Sequence, residues 1–329
     1  MYPKYTPKGI HIEELSIPSS QPNTVRLSTL LLRRRDVASS SPEHVIIYFQ
    51  GMYLSFLIAR QGTRHLIPGI GVYTGNAGNP LHRLSVFAAL LNAVPSLTIL
   101  APAPRSYWTS SVARPTQAGL TADYAAALAF ATSRFPTSRL TIYGHSLGAS
   151  IALCLLASSS HHKLEDNGVP NATTPAAAAV HGLVLENAFT SVPDMLHALY
   201  PQRWLPYRYL GPFVHDRWDA RAAAHTFPRG LARHAMVLVS ERDEVVPPWM
   251  GREIFGVLRV SGDWDVEEGG GGVFVGGAGT GKTRKPRGRL VVLEGALHED
   301  AWRYRDWSRA MKQYLDDLRR EPTNHSGLI

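Results

Sequence analysis

The chain is predicted to adopt an α/β fold, a mostly parallel sheet flanked by helices, and three observations point there. Short β-branched runs alternate with Ala- and Leu-rich segments of helical length. Runs such as Ala235-Met236-Val237-Leu238-Val239 are apolar at every position, as strands buried on both faces require. The 329 residues, 44% hydrophobic and 18% charged, suit one ordinary domain, 1–329, large enough to bury a core and form a cleft.

Strands are expected over 9–17, 24–32, 44–49, 97–101, 139–143, 182–186, 234–240 and 289–294, and helices over 119–132, 147–158 and 299–319. The charged, Ser-rich stretch 33–42 reads as a turn and the Pro/Ala/Asn-rich stretch 163–179 as a low-complexity loop, so neither is a domain linker. The segment 187–233 carries Trp204, Tyr207, Tyr209, Phe213 and Trp218, while Pro201, Pro206 and Pro212 discourage long helices in it. Its rings either pack a small subdomain onto the sheet or form a lid over an apolar substrate pocket.

Composition excludes several classes. Lys plus Arg total 34 against 26 Asp plus Glu, a formal charge of +8 that favours weak attraction to anionic surfaces, membranes included. Basic and aromatic residues are not interleaved in a nucleic-acid-reading pattern, so no nucleic-acid partner is expected. Cys154 is the only cysteine, which rules out an internal disulfide, and no Cys/His cluster has zinc-site spacing. Chemistry must come from ordinary side chains without metal or cofactor. The N-terminus lacks the apolar core of a secretory signal, and no run reaches the roughly 18 apolar residues of a membrane span. The literal chain is expected to be soluble and cytoplasmic, and the triplets at Asn171 and Asn324 to be chance matches to the glycosylation pattern.

The sharpest motif is Gly144-His145-Ser146-Leu147-Gly148, placed after the apolar run Leu140-Thr141-Ile142-Tyr143 and before a helical run. Strand, tight turn and helix in that order form a nucleophile elbow, with the serine lifted off the strand end and small flanking residues letting the backbone pass closely. The helix N-terminus beneath the serine favours developing negative charge. A serine hydroxyl needs a histidine base, and the histidine needs a carboxylate to orient it. The strand ending at Ser240 leads into Glu241-Arg242-Asp243-Glu244, where Asp243 is the preferred acid and Glu241 and Glu244 its competitors. The strand ending near Leu293 leads into Glu294-Gly295-Ala296-Leu297-His298, which places His298 on a loop before the last helix. Most of the other histidines lack such a setting: His145 is expected to point away from the serine, and His161-His162 to be solvated at a helix end.

Ser146, Asp243 and His298 stand in the chain order of the α/β-hydrolase triad. The sequence resembles that superfamily, with the α/β-hydrolase fold and a small aromatic lid as the implied architecture. Gly75-Asn76-Ala77-Gly78-Asn79, the run Gly182 to Asn187 with Phe189 and Ser191-Val192-Pro193-Asp194, Trp204-Leu205-Pro206-Tyr207-Arg208-Tyr209 and the turn from Asp243 to Pro247 resemble the branch of fungal bud-emergence (Bem-type) hydrolases and relatives of protein depalmitoylases. The resemblance implies a serine hydrolase that cleaves a small acyl ester or an acylated protein. Members of this branch often carry an N-terminal membrane anchor, which would make the protein membrane-associated if this gene model lacks one. A serine nucleophile argues against dehalogenase and epoxide hydrolase chemistry, where aspartate attacks. The rival from another class is an inactive α/β-hydrolase scaffold that binds a lipid or protein partner.

The oxyanion hole of this machinery needs two backbone N–H donors, assigned to Leu147 and Asn76. In the related branch the third strand runs straight into His-Gly-Asn-Ala-Gly-Asn. Here it ends at Gln50, and the segment 51–74 intervenes before Gly75. Deleting that segment restores the pattern with glutamine in place of histidine. Gly51-Met52-Tyr53 is encodable by GGT-ATG-TAT, which holds a donor-like GTATGT, and Thr74-Gly75 by ACA-GGN, which supplies an AG acceptor. A retained intron is the favoured reading, and a genuine surface insertion is the rival, although the run 53–59 would then need a hydrophobic cover.

The run from Gly276 to Thr283, containing Lys282, matches the phosphate-binding P-loop letter for letter. Such a loop must continue into a helix, which Pro286 and Gly288 oppose. The stretch 262–288 is expected to be a Gly-rich basic loop.

Overall fold

The computed structural model describes residues 7–19, 25–37, 42–51, 78–161, 177–202, 204, 209, 211–232, 234–263, 266–268, 273–276 and 288–320. The strands are β1 (Ile10–Ser19), β2 (Val25–Arg34), β3 (His44–Phe49), β4 (Leu97–Pro102), β5 (Arg139–His145), β6 (Val180–Glu186), β7 (Ala235–Ser240), β8 (Val266–Glu268), β9 (Val273–Gly276) and β10 (Arg289–Leu293). The helices are α1 (Leu84–Ala93), α2 (Gln117–Arg134), α3 (Leu147–His161), α4 (Val192–Leu199), α5 (Ala220–His225), α6 (Arg229–Ala232), α7 (Pro248–Gly262) and α8 (Arg305–Arg320).

The strands form one sheet in the order β1-β2-β4-β3-β5-β6-β7-β10-β9-β8. β3, β4, β5, β6, β7 and β10 run parallel, while β1 and β2 pair antiparallel at one edge and the hairpin of β8 and β9 at the other. Side chains alternate across each strand, so Val45, Ile47 and Phe49 of β3 face α2, α3 and α7, whereas Ile46 and Tyr48 face α1 and α8. Continuous apolar runs follow from this arrangement, since both faces of the central strands are covered. The C-terminal ends of all six parallel strands open on one edge, which is where ligands bind in open α/β sheets.

The eight strands expected from the sequence are present within a few residues, and α2 and α3 match their expected spans. Three expectations change. The stretch 262–288 is not wholly a loop, because the run Val273-Phe274-Val275 in β9 pairs onto the otherwise open edge of β10 and β8 pairs onto β9. The final helix starts at Arg305 rather than at residue 299, since Ala301–Arg303 forms a 3₁₀ turn and the Tyr304 hydroxyl donates to the Gly295 carbonyl. In the 187–233 segment Phe189, Trp218 and Phe227 are buried in the core, but Trp204, Tyr209 and Phe213 are exposed, so the segment's rings divide between packing and exposure. Most of the 51–74 segment, Asn76, Tyr207 and the P-loop-like run through Lys282 lie outside the described residues.

One buried ion pair ties the N-terminal edge to the centre. Asp123 on α2 accepts from Arg105 Nε (2.9 Å) and Nη2 (2.7 Å), from the Arg105 backbone N–H (2.9 Å) and from Ser19 Oγ (2.7 Å). The carboxylate thus joins β1, the loop after β4 and α2. A Cβ at Gly119 would lie 2.7 Å from an Arg105 guanidinium nitrogen, so the bare backbone makes room for the cation. Asp123→Ala strands the buried arginine without a partner and should cost about 3–5 kcal/mol of stability. Urea unfolding measures this, and a loss below about 1 kcal/mol would show that the pair contributes no more than a surface contact.

Candidate active site

Ser146 follows β5 in the left-handed region, at φ +53°. An L-residue is strained there, and the neighbourhood holds it in place. The Ser146 N–H donates to the Glu186 carbonyl at the end of β6 (2.8 Å), and the Ala149 N–H closes back onto the Ser146 carbonyl (2.9 Å). The flanking glycines are required by space. A Cβ at Gly148 would lie 2.1 Å from the Phe49 carbonyl oxygen, and one at Gly144 would lie 2.5 Å from the Ala149 Cα. Leu147 opens α3, so its N–H has no intrahelical acceptor.

Asp243 and His298, both on loops leaving strand ends, are brought together. His298 Nδ1 lies 2.7 Å from Asp243 Oδ2, and both side chains are buried. Asp243 Oδ1 accepts the N–H groups of Val245 (2.8 Å) and Val246 (2.7 Å), which fix the carboxylate's rotamer. The competing acids do different work. Glu244 Oε2 accepts the His298 backbone N–H (3.1 Å), and Glu241 Oε2 accepts that of Gly295 (2.9 Å), so both brace the histidine loop.

Among the described residues no hydrogen bond joins Ser146 Oγ to His298. Such catalytic bonds are often long without substrate and tighten when it binds. The structural link runs through His145, whose ring centroid lies 4.8 Å from that of His298 and whose Nε2 is 3.0 Å from the His298 carbonyl oxygen. His145 thus reaches the backbone of the histidine that faces Asp243. Asn187 also reaches it, with Nδ2 3.1 Å from the same carbonyl. Neither contact was legible in the sequence, because each side chain meets a carbonyl more than 100 positions away.

The end of β3 touches the elbow directly. A Cβ on Gly51 would lie 2.7 Å from His145 Nδ1 and 3.2 Å from the Ser146 Cβ, so only glycine fits without displacement. Gln50 is anchored away from the elbow, with its N–H donating to the Tyr124 hydroxyl (3.1 Å) and its amide to the Pro102 carbonyl (3.3 Å). Further along, Asn79 caps the turn Pro80–Arg83 by accepting from the Leu81 N–H (3.0 Å).

Behind His298 lies a polar layer in which Tyr143 donates to Glu186 and Trp307 Nε1 donates to the Tyr143 hydroxyl (3.1 Å). Burial pushes the Glu186 carboxyl up, offset in part by the Tyr143 hydrogen bond and the Arg83 charge. One group of metal-capable side chains converges among the described residues: His145, His298 and Glu299, with ligand atoms within 4.8 Å. Arg83 already pairs with both Glu299 oxygens, leaving too few free donors for a structural metal set.

No family model matches the chain. Among curated proteins, bem46 of Schizosaccharomyces pombe is 23% identical over 259 residues, which are 78% of this chain and 73% of that protein. The α/β hydrolase domain-containing protein WAV2 of Arabidopsis thaliana is 23% identical over 245 residues, 71% of this chain and 65% of that relative. The chain therefore spans just under two thirds of WAV2. Solved structures align almost end to end. An esterase of Pyrococcus furiosus gives a TM-score of 0.57 at 14% identity, covering 97% of this chain and 95% of its own. Carboxyl esterase 2 of Tuber melanosporum gives 0.57 at 11%, covering 97% and 89%. The chain has the α/β-hydrolase fold, and its sequence is similar to that of bem46. In this fold the loops bearing Ser146, Asp243 and His298 leave the same edge of the sheet. No helix among the described residues is long and apolar enough to cross a membrane.

Two buried histidines give this fold an acid-side liability. Burial holds His145 well below the ordinary 6.5 and pushes His44, at the start of β3, down to about 4. Neither ring nitrogen of His44 has a hydrogen-bond partner among the described residues. The unfolded chain takes up these protons below about pH 6.5 while the folded chain does not. Their contribution is therefore intact above that pH and lost as pH falls, by up to about 1.4 kcal/mol per pH unit for each histidine. His44→Gln should flatten the fall of unfolding free energy between pH 6.5 and about 4, relative to the parent chain. Parallel curves in urea unfolding would contradict this.

Proposed function

We propose that the protein is a serine hydrolase that cleaves acyl esters or thioesters through an acyl-enzyme. The observation that carries the proposal is the 2.7 Å Asp243–His298 pair, together with a left-handed Ser146 flanked by two space-demanding glycines. Ser146 Oγ attacks the acyl carbonyl as His298 Nε2 takes its proton. That proton then goes to the departing alkoxide or thiolate, and water repeats the sequence to release the acid. Asp243 holds the Nδ1–H tautomer of His298 and stabilises the imidazolium. No cofactor or metal takes part in this scheme.

Leu147 supplies one oxyanion N–H and Asn76 is assigned the other. Gly51 marks where the chain leaving β3 meets the elbow, and glycine is needed at that spot. If 51–74 is a retained intron, Gly75 takes the place of Gly51 and Asn76 follows it directly, which keeps glycine where the space demands it. With the segment translated, Asn76 must return to the same spot from its far end.

An apolar acyl group suits the surroundings. Trp204, Tyr209, Phe213, Val245, Trp249 and Leu297 are exposed, and all lie on segments leaving the strand ends that carry the site. The same rim and the +8 formal charge support substrates in small acyl esters or acylated proteins, met in part at anionic membranes. The second reading, an inactive scaffold that binds a lipid or protein partner, draws on the missing Ser146–His298 hydrogen bond.

Turnover of a panel of p-nitrophenyl esters and acyl thioesters separates the two. The parent chain should hydrolyse at least one, Ser146→Ala should abolish the activity, and Asp243→Asn should lower kcat about 10³- to 10⁴-fold. Full activity in Ser146→Ala would end the proposal. Inactivity of the parent, with activity in a chain lacking 51–74, would locate the fault in that segment and leave the triad standing.

A further inference from the structure

The His298 main chain is held by two side chains to which the triad scheme gives no part. His145 Nε2 (3.0 Å) and Asn187 Nδ2 (3.1 Å) converge on the same His298 carbonyl oxygen. The two arrive from different places: His145 from the end of β5, immediately before Ser146, and Asn187 from just beyond β6. Both are nearly inaccessible, His145 at 2% and Asn187 at 4% exposure.

Each is committed to this contact. The carbonyl oxygen can only accept, so His145 must carry its proton on Nε2, and its buried Nδ1 has no hydrogen-bond partner among the described residues. An unpaired buried nitrogen costs stability, and an apolar side chain of similar size would avoid that cost. Burial also keeps the His145 ring neutral, so the Nε2–H tautomer persists across the ordinary working range. Asn187 stands at φ +51°, in the left-handed region that asparagine tolerates better than most residues. From there its Oδ1 accepts the Ser240 N–H (2.9 Å), its Nδ2 also reaches the Ser240 Oγ (3.1 Å), and its own N–H donates to the Leu238 carbonyl (2.9 Å). It therefore joins the end of β7, which leads to Asp243, to the loop that carries His298.

We propose that His145 and Asn187 are positioning residues that clamp the His298 carbonyl and thereby set the His298 ring between Asp243 and Ser146. The inference rests on the hydrolase reading for its kinetic consequence, but its geometric content does not. The side-chain contact of His298 with Asp243 fixes one end of the residue, and the Glu244 bond to the His298 N–H fixes another. The doubly accepted carbonyl is the third anchor, and three anchors on one residue leave its ring little freedom to swing. Misplacing a catalytic group by about 1 Å can cost 10²-fold in rate.

The test uses the full chain with three single variants. Asn187→Asp keeps size, left-handed backbone and the acceptor for the Ser240 N–H, but turns the donor facing the carbonyl into an acceptor. His145→Leu removes the other donor, whereas His145→Gln restores an N–H at comparable reach. Two readouts are taken: kcat and KM on a short acyl ester, and the downfield proton resonance of His298 Nδ1–H bonded to Asp243, assigned by its absence in His298→Ala. We expect Asn187→Asp and His145→Leu each to lower kcat about 10- to 100-fold with KM changed less than about twofold, and to broaden or abolish the resonance. His145→Gln should recover both. An unchanged resonance and unchanged kcat in Asn187→Asp and His145→Leu would overturn the clamp. If the parent chain hydrolyses nothing while the resonance still responds as expected, the clamp stands and the hydrolase reading fails.

Discussion

The close approach of the elbow to the end of β3 is the constraint on which the site depends. Gly148 lets α3 start directly against the Phe49 carbonyl, and Gly144 lets the strand fold back beneath Ala149. Without that contact the serine would not be forced to φ +53°, and its side chain would lie along the sheet rather than above it. The sheet order makes this possible, because β5 is the central strand with β3 on one side and β6 on the other. β3 supplies the surface against which the glycines pack, and β6 supplies the Glu186 carbonyl that fixes the Ser146 N–H.

From this contact the polar chemistry is layered outward. His298 and Asp243 come next, on loops that leave β10 and β7, which are themselves paired in parallel register. A buried shell formed by His145, Asn187, Glu186, Tyr143 and Trp307 then closes the site from behind. Burying so many polar groups is unfavourable unless they find partners, and in this shell they mostly do. Among the described residues the exception in this shell is His145 Nδ1, which lies against Gly51 at the end of β3. Toward solvent the balance reverses, and apolar side chains such as Trp249 and Leu297 are left exposed around the same edge. The candidate site is thus polar within, with exposed apolar side chains on the segments around it.

Much of this was readable from residue order. The alternation of β-branched and Ala-rich runs located the central strands to within a few residues, since strands covered on both faces must be apolar throughout. The glycines around Ser146 were legible because local backbone sterics demand them within five positions. Asp243 was the preferred acid from residue order, but Glu241 and Glu244 stayed in competition because all three leave the same strand and side-chain direction is what separates them. His145 and Asn187 carry no local signal at all, because their shared partner is a backbone carbonyl, which every residue possesses. The edge hairpin of β8 and β9 was hidden by glycines whose flexibility outweighed the short run Val273-Phe274-Val275, until pairing with β10 stabilised it. The exposed rings of the 187–233 segment ran against the ordinary expectation that aromatics are buried, and the prolines among them gave no indication of which way they face.

The central claim is that the strained elbow presents Ser146 as an activated nucleophile, and covalent labelling of the full 329-residue chain with a fluorophosphonate tests it most directly. Intact mass and peptide mapping should show one adduct, located on Ser146 and lost when the protein is unfolded before labelling. A folded chain that takes up no label, both with the 51–74 segment and without it, would contradict the account.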